Sequence, residues 1–115
     1  MTEARFVDFP RRGEIYRAFA HGKAGRPVLV ISPNGRNEHA NDVLVIPLST
    51  RHRPLATHVR LAKAHTGLPN DSTAKCEYIG PIAKFELRER VGRRVPVEAL
   101  SEIERAIMRA VGVPS

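Results

Sequence analysis

A continuous run of branched apolar residues, Val28 to Ile31, constrains the fold of this chain more than any other feature. A glycine precedes the run and a Pro-Asn-Gly turn signal follows it, so the pattern predicts a buried central strand over Arg26–Ser32. Pro27 is tolerated there because the first position of a strand can lack a ladder N–H. The proline also holds Arg26 extended, and we expect this cation to stand at the mouth of the strand, where a ligand can reach it.

Other segments predict further strands, turns and one helix. Alternating or continuous apolar patterns predict strands at Gly13–Phe19, Val43–Leu48, Thr57–Leu61, Thr73–Ile79 and Val91–Val95. Pro47 predicts that the far end of its strand is an edge or a bulge. We expect a polar loop at 36–41 and a helical turn within Ile82–Leu87. Apolar residues at helical spacing predict one amphipathic C-terminal helix that starts near Pro96 and ends at Gly112.

Length and composition favour one small globular domain. The 115 residues, 42% of them hydrophobic, can bury a modest core, and residues 1–11 read as an irregular N-terminal arm. Many short strands followed by one helix predict a mainly β (α+β) fold, a small antiparallel barrel or rolled sheet. No signal peptide or membrane-spanning stretch is visible. The single cysteine, Cys76, excludes an internal disulfide and a multi-cysteine zinc site, and it suits a reducing cytoplasm.

The charge balance points to a polyanionic partner. Nineteen Lys and Arg residues against twelve Asp and Glu give a formal net charge of +7, which attracts polyanions at long range. Aromatic residues make up 5% of the chain and Trp is absent, which argues against a stacking platform for bases. A ribosomal-type protein, or a basic protein whose charge serves only solubility, is the alternative that composition leaves open.

Polar residues near the predicted strand ends include the groups that cleave a phosphodiester without a metal. The reaction needs a base for the attacking hydroxyl, a cation or acid for the leaving oxygen, and donors for the charge on phosphate. Candidates are Arg26, Ser49 or Thr50, and Lys75 with Glu77, which alternation places on one strand face. Equally, the arginine can be a surface charge, the hydroxyls turn residues, and the last two an exposed ion pair. The five histidines show no metal-ligand spacing, so we expect no metal or cofactor.

From Arg12 onward the chain resembles the MazF/PemK family of bacterial toxins, which are sequence-specific, metal-independent endoribonucleases of type II toxin–antitoxin systems. The segments that carry the resemblance are Arg12–Tyr16, Arg26–Ser32, Val45–Thr50, Thr57–Val59, Gly67–Ser72, Glu77–Ile79, Ile82–Lys84, Leu87 and the amphipathic tail. Each is weak alone, and their common order and spacing make them specific. The resemblance implies an SH3-like barrel of the CcdB/PemK type that works as a homodimer in the cytoplasm.

The resemblance also implies a mechanism and residue roles. The RNA 2′-hydroxyl attacks the adjacent phosphate and leaves a 2′,3′-cyclic phosphate and a 5′-hydroxyl end. Carried over, Arg26 is the acid or cation for the developing charge, and Ser49 is the hydrogen-bond donor to the phosphate. Thr50 is the alternative donor, and Glu77 is a candidate general base. The residues expected to bind RNA are His21, Lys23, Asn37, Arg51, Arg53 and Lys75.

The implied partners are single-stranded RNA, a cognate antitoxin and a second copy of the chain, with no membrane. The loop at 21–25 lacks the acid that many members of the family carry before the Arg-Pro motif. Lys75 stands where an arginine would grip phosphate in a bidentate way. Two other functions stay open: a CcdB-like toxin that binds DNA gyrase, and a nucleic-acid-binding barrel without catalysis.

Overall fold

The computed structural model describes residues 8–19 and 25–115 of the chain. Its strands are β1 (Ile15–Ala18), β2 (Arg26–Val30), β3 (Asp42–Ser49), β4 (His58–Leu61), β5 (Ser72–Lys75), β6 (Gly80–Ala83) and β7 (Leu87–Val91). Its α-helices are α1 (Asn34–His39), α2 (Lys63–Thr66) and α3 (Val97–Ala110). The predicted mainly β fold with a C-terminal amphipathic helix is confirmed. No helix in this part of the chain is long and apolar enough to cross a bilayer.

Strand β3 is the centre of an antiparallel sheet with the order β4-β5-β3-β2-β1-β7. Residues Asp42–Val45 of β3 pair with β6, Val45–Pro47 pair with β2, and Leu48 and Ser49 pair with β5. The strand thus changes partners along its length and joins the β2-β1-β7 side of the sheet to the β5-β4 side. Since β3 continues past Pro47 into its pairing with β5, the predicted edge at this end is wrong.

The main core lies between one face of the sheet and α3. The helix contributes Ala99, Leu100, Ile103 and Ala106 at helical spacing. Ile103 is fully buried, and truncating such a side chain to alanine costs about 2–5 kcal/mol. A second cluster on the opposite face of β2 and β3 consists of Ala18, Val28, Val30, Val43, Val45 and Ile82. Both faces of the β2–β3 pair are therefore packed.

Helix α1 lies largely within the stretch where the sequence predicts a polar loop. Asn37 is the reason, since its side chain is fully buried in the described structure. Its amide nitrogen donates to the carbonyl oxygen of Ser32 at 2.9 Å, and the Ser32 hydroxyl donates to its Oδ1. The same hydroxyl accepts the N–H of Leu44 at 3.0 Å. These buried bonds fix a helical turn that local polarity alone does not predict.

The stretch predicted as the strand Thr73–Ile79 is divided in the structure. β5 ends at Lys75, and the chain then forms a 3₁₀ turn over Cys76–Tyr78. The alternation of side chains stops where the 3₁₀ turn begins, because successive side chains switch faces only in extended backbone. The prediction that Lys75 and Glu77 share a strand face is therefore wrong.

The chain after this turn also differs from its prediction. Gly80–Ala83 forms β6, which tolerates Pro81 because, among the described strands, it pairs with β3 alone. A 3₁₀ turn at Lys84–Glu86 lies within the predicted helical turn. The last strand ends at Val91, where the sequence predicts it to begin.

Candidate active site at the end of β3

Arg26 and Ser49 line the same cleft at the C-terminal end of β3. Strand β2 pairs with β3 so that Val28 lies opposite Pro47, and extending this antiparallel register by two residues brings Arg26 beside Ser49. On the other side, Thr73 of β5 lies opposite Ser49. Residues that face each other across an antiparallel pair present their side chains on one face. The pairing of strands therefore brings together two predicted site residues that are distant in sequence.

These two residues line a cleft of about 640 Å³. It lies where β3 passes from its pairing with β2 to its pairing with β5. Its cations are Arg17, Arg26, Arg51 and Lys75, and its hydroxyl and amide side chains are Ser49, Thr50, Asn70 and Ser72. The described residues that line it include no Asp or Glu. A concave site that is lined by charges of one sign focuses the electric field, and here that field attracts a polyanion.

Arg26 is exposed at the start of β2. Its guanidinium forms no ion pair with a carboxylate of the described residues, whereas Arg36, Arg60 and other arginines do. A guanidinium carries five N–H donors in a planar fork that matches the oxygens of a phosphate. Arg26 is thus placed to bind an anion in the cleft.

Ser49, the last residue of β3, is held by a hydrogen bond at the strand end. Its Oγ accepts the N–H of Arg51 at 3.1 Å, which is the turn role that hydroxyl residues often have. Accepting this bond uses a lone pair, so the hydroxyl hydrogen stays available for donation. The turn role and the donor role are therefore compatible. Thr50 follows directly and also lines the cleft.

Arg17, on β1, is a cleft residue that the sequence does not reveal. Its Nη1 donates to the carbonyl oxygen of Gly25 at 3.2 Å, and its Nε lies 3.3 Å from Oε1 of Glu89. These contacts hold the guanidinium near the start of β2. Alternation along the first strand shows which face Arg17 shares, but only the pairing of β1 with β2 shows that it lies near Arg26.

Glu77 lies outside the cleft. Its Oε2 is 3.0 Å from Nε2 of His58, whose side chain is only 4% exposed. Burial raises the pKa of Glu77, but hydrogen bonds from its own backbone amide, from Thr57 and from His58 outweigh this effect and lower the pKa overall. A general base must reach the proton that it removes. The structure does not bring this predicted base to Arg26 and Ser49.

The predicted RNA-binding residues have different locations. Arg51 and Lys75 line the cleft, and Arg53 is exposed on the following loop but does not line it. Asn37 is buried and bonded to Ser32, so its predicted contact with RNA is wrong. His21 and Lys23 lie outside the described residues.

Neither the cysteine nor a metal cluster offers an alternative centre in this part of the chain. Cys76 is fully buried in the main core, and burial, together with the nearby charge of Glu77, raises its pKa to about 11. A thiol of this pKa is protonated at neutral pH and is a poor nucleophile. Within residues 8–19 and 25–115, no three His, Cys, Asp or Glu side chains are grouped so that they could hold one metal ion.

The fold and the cleft define a small antiparallel β-protein with a cluster of cationic side chains at one end of its central strand. Residues 7–111 match the family described as PemK-like, MazF-like toxin of type II toxin-antitoxin system. The chain belongs to this family. The family resemblance in the sequence is thereby confirmed, and the described fold agrees with it.

Individual relatives support the same assignment. The chain is 30% identical over 108 residues to Endoribonuclease MazF1 of Mycobacterium bovis, covering 94% of this chain and 98% of the relative. It is similar to the solved structure of an endoribonuclease from Mycobacterial species, with 29% identity and a TM-score of 0.81 over 96% of this chain and 99% of the other. A mycobacterial endoribonuclease solved with its cognate antitoxin is 30% identical, with a TM-score of 0.81 over 92% of this chain and 98% of that one.

Proposed function

We propose that this toxin is a sequence-specific, metal-independent endoribonuclease that cleaves single-stranded RNA. The 2′-hydroxyl gives up its proton as its oxygen bonds to the adjacent phosphorus, the bond to the 5′-oxygen breaks, and the 5′-oxygen takes up a proton. The products are a 2′,3′-cyclic phosphate and a 5′-hydroxyl end, with no net change in protons. The observation that carries this proposal is the placement of Arg26 beside Ser49 in a cleft with four cations. The endoribonuclease names of the relatives support it.

The two central residues have complementary roles in this reaction. Arg26 offsets the negative charge that grows on the phosphate oxygens and on the leaving 5′-oxygen. Ser49 donates its hydroxyl hydrogen to a phosphate oxygen, with Thr50 as the neighbouring alternative. Donors that are already oriented toward the developing charge lower the barrier without reorganising during the reaction.

The other cations of the cleft bind the RNA chain. Arg17, Arg51 and Lys75 lie around the central pair and contact phosphates on either side of the cleaved bond. Lysine acts as a point charge rather than as a bidentate fork, so Lys75 contributes more to affinity than to orientation. Glu77 has a different task, because it pairs with the buried His58 and holds the 3₁₀ turn against β4.

Two protein partners complete the proposal. An acidic segment of a cognate antitoxin binds the cationic cleft and blocks RNA, in line with a relative solved with its cognate antitoxin. The toxin acts as a cytoplasmic homodimer, as the family resemblance implies. The positive charge of the cleft suits both the RNA and an acidic antitoxin segment.

The test is to incubate the purified chain, free of antitoxin, with a long mixed-sequence RNA in EDTA and to analyse the fragment ends. Discrete fragments with 5′-hydroxyl ends and cyclic phosphates are expected. Intact RNA from the folded protein would contradict the proposal, and inhibition of gyrase supercoiling would then be measured. A loss of cleavage on chelation would instead indicate a metal-dependent nuclease.

A further inference from the structure

We propose that a pocket adjoining the cleft binds the base next to the cleaved phosphate, and that Asn70 selects this base. The pocket is lined by Thr50, Arg60, Lys63, Asn70 and Asp71. This subsite rests on the proposed ribonuclease function, and it adds the residue that sets the sequence preference on one side of the cut.

The pocket is continuous with the cleft. Thr50 and Asn70 line both spaces, and Thr50 directly follows Ser49 in the chain. An RNA strand whose phosphate lies against Ser49 therefore extends its neighbouring nucleotide over Thr50 and Asn70. The pocket measures about 390 Å³, within the range of sites that hold small molecules.

The charges of the pocket differ from those of the cleft. Asp71 Oδ1 accepts the backbone N–H of Lys63 at 2.9 Å, and its Oδ2 lies 3.6 Å from Nη2 of Arg60. The hydrogen bond from the Lys63 backbone, with the nearby arginine, lowers the pKa of Asp71, so the carboxylate is ionised at neutral pH. An ionised carboxylate disfavours a phosphate here, whereas donors and acceptors side by side suit the edge of a base.

Asn70 stands at the junction with its side chain free. It is exposed in the turn before β5, and its amide group forms no hydrogen bond with the described residues. An amide offers one acceptor and two donors, so it can pair with a base edge that presents a donor beside an acceptor, as asparagine does with adenine. Proteins read single-stranded RNA by such bonds to splayed bases.

The experiment begins with the cleavage motif of the wild-type chain, taken from the fragment ends of a mixed-sequence RNA. Four short RNA oligonucleotides with this motif are then compared as substrates, and they differ only in the base next to the cleaved phosphate. The variants are Asn70→Ala and the isosteric Asn70→Asp, with thermal unfolding as the check on folding. Asn41→Ala is the matched control, since Asn41 is also exposed, directly precedes β3 and lines a different pocket.

We expect Asn70→Ala to lower kcat/KM for the preferred oligonucleotide about tenfold to one-hundredfold, which is the discrimination that one bidentate contact supplies. The preference among the four bases at this position should shrink by the same factor. Asn70→Asp, which keeps the shape but loses the donors, should change the preferred base, and Asn41→Ala should keep the wild-type values.

Two failures are distinguishable. If the wild-type chain leaves RNA intact, the ribonuclease function itself fails and the subsite falls with it. If the wild-type chain cuts at a defined motif while both folded Asn70 variants keep its motif and its kcat/KM, only the assignment of Asn70 is overturned.

Discussion

The two ends of strand β3 differ in how their charges are arranged. At the start of the strand, Arg36 Nη2 lies 2.6 Å from Asp42 Oδ1, and Arg36 Nη1 donates to the Asp42 carbonyl oxygen at 2.9 Å. At the far end, the cleft around Ser49 holds four cations and, among the described residues, no acid in its lining. Balanced charges at one end hold structure together. At the other end, Arg17 alone of the four cations has a carboxylate partner among the described residues, Glu89, so a polyanion in the cleft would offset the repulsion among the other three.

The acids and the cleft cations of this molecule have different roles. The acids near the site, Asp71 and Glu77, are each bonded to a neighbouring backbone or side-chain group. Glu14 is likewise buried and accepts bonds from the Arg11 N–H and the Tyr16 hydroxyl. We therefore expect substitution of these acids to affect stability, and substitution of the cleft cations to affect activity.

The largest expected effect is the loss of RNA cleavage when Arg26, but not Arg36, is replaced by alanine. Arg26→Ala should lower RNA cleavage by at least about 10³-fold, the scale on which a charge-stabilising arginine contributes to phosphoryl transfer, and should leave the thermal unfolding midpoint unchanged. Arg36→Ala, the control at the other end of β3, should keep wild-type cleavage and lose about 0–1 kcal/mol of stability, as exposed ion pairs do. Cleavage assays and thermal melts check both values, and equal activities for the two variants would contradict the comparison.

A second expected effect concerns two serines. Ser49→Ala should lower kcat about 10²- to 10³-fold, as removal of one preorganised donor does, while stability stays near wild type. Ser32→Ala should instead lower stability and leave catalysis intact. It removes buried bonds to Asn37 and Leu44, which should cost about 1–3 kcal/mol of the free energy of unfolding. The folded fraction of this variant should keep the wild-type kcat. Single-turnover cleavage and urea unfolding measure the pair, and a stable, fully active Ser49 variant would exclude it as the donor.

The salt dependence of RNA binding sharpens the comparison further. Lys75→Ala should reduce the slope of log affinity against log salt by about 0.7, the value for one phosphate contact with a single strand. Lys84→Ala is the control, because Nζ of Lys84 lies 3.4 Å from the Glu38 carbonyl oxygen, near the other end of β3. Its slope should equal that of the wild type. Binding to a noncleavable 2′-deoxy oligonucleotide between low and moderate salt gives both slopes, and an unchanged slope for Lys75→Ala would remove this lysine from the RNA path.

The smallest expected effect is a pH-dependent difference in stability at Glu77. Because its pKa is lower in the folded chain than the ordinary 4.5, its ionised form contributes stability that is fully present above this value. That contribution is lost as the pH falls below 4.5 through the folded pKa. Glu77→Gln should be less stable than the wild type at pH 7, and the difference should shrink on acidification. Urea midpoints at several pH values measure it, and a difference that is constant or grows in acid would contradict the pairing with His58.

The sequence predicts best where one local pattern decides the structure. The run at Val28–Ile31 is buried throughout, and its first three residues lie in β2. The helical spacing of Leu100, Ile103 and Ile107 predicts α3, which starts within one residue of the predicted position. The Arg-Pro motif predicts that Arg26 stands at a strand mouth, because proline fixes both its own backbone and that of the preceding residue.

The sequence predicts less where burial and strand pairing decide the structure. Helix α1 depends on the buried bonds between Asn37 and Ser32, and a buried asparagine in a polar segment has no local signature. Strand β5 ends at Lys75, and the 3₁₀ turn that follows places Glu77 outside the cleft. The two-residue spacing of Lys75 and Glu77 would put them on one face only if the strand continued. Arg17 lies in the site because β1 pairs with β2. The residues of one strand alone do not predict which strand it pairs with or in which register.

One measurement tests the central claim most directly, which is that the RNA's own 2′-hydroxyl is the nucleophile in the Arg26–Ser49 cleft. An RNA oligonucleotide with the cleavage motif is compared with a copy that has a single 2′-deoxy substitution at the nucleotide just before the cut, in EDTA. The wild-type toxin should cut the first at the motif and leave the second intact while binding both with similar affinity. Cleavage of the substituted oligonucleotide at the same phosphate would contradict the account, because the nucleophile would then come from elsewhere.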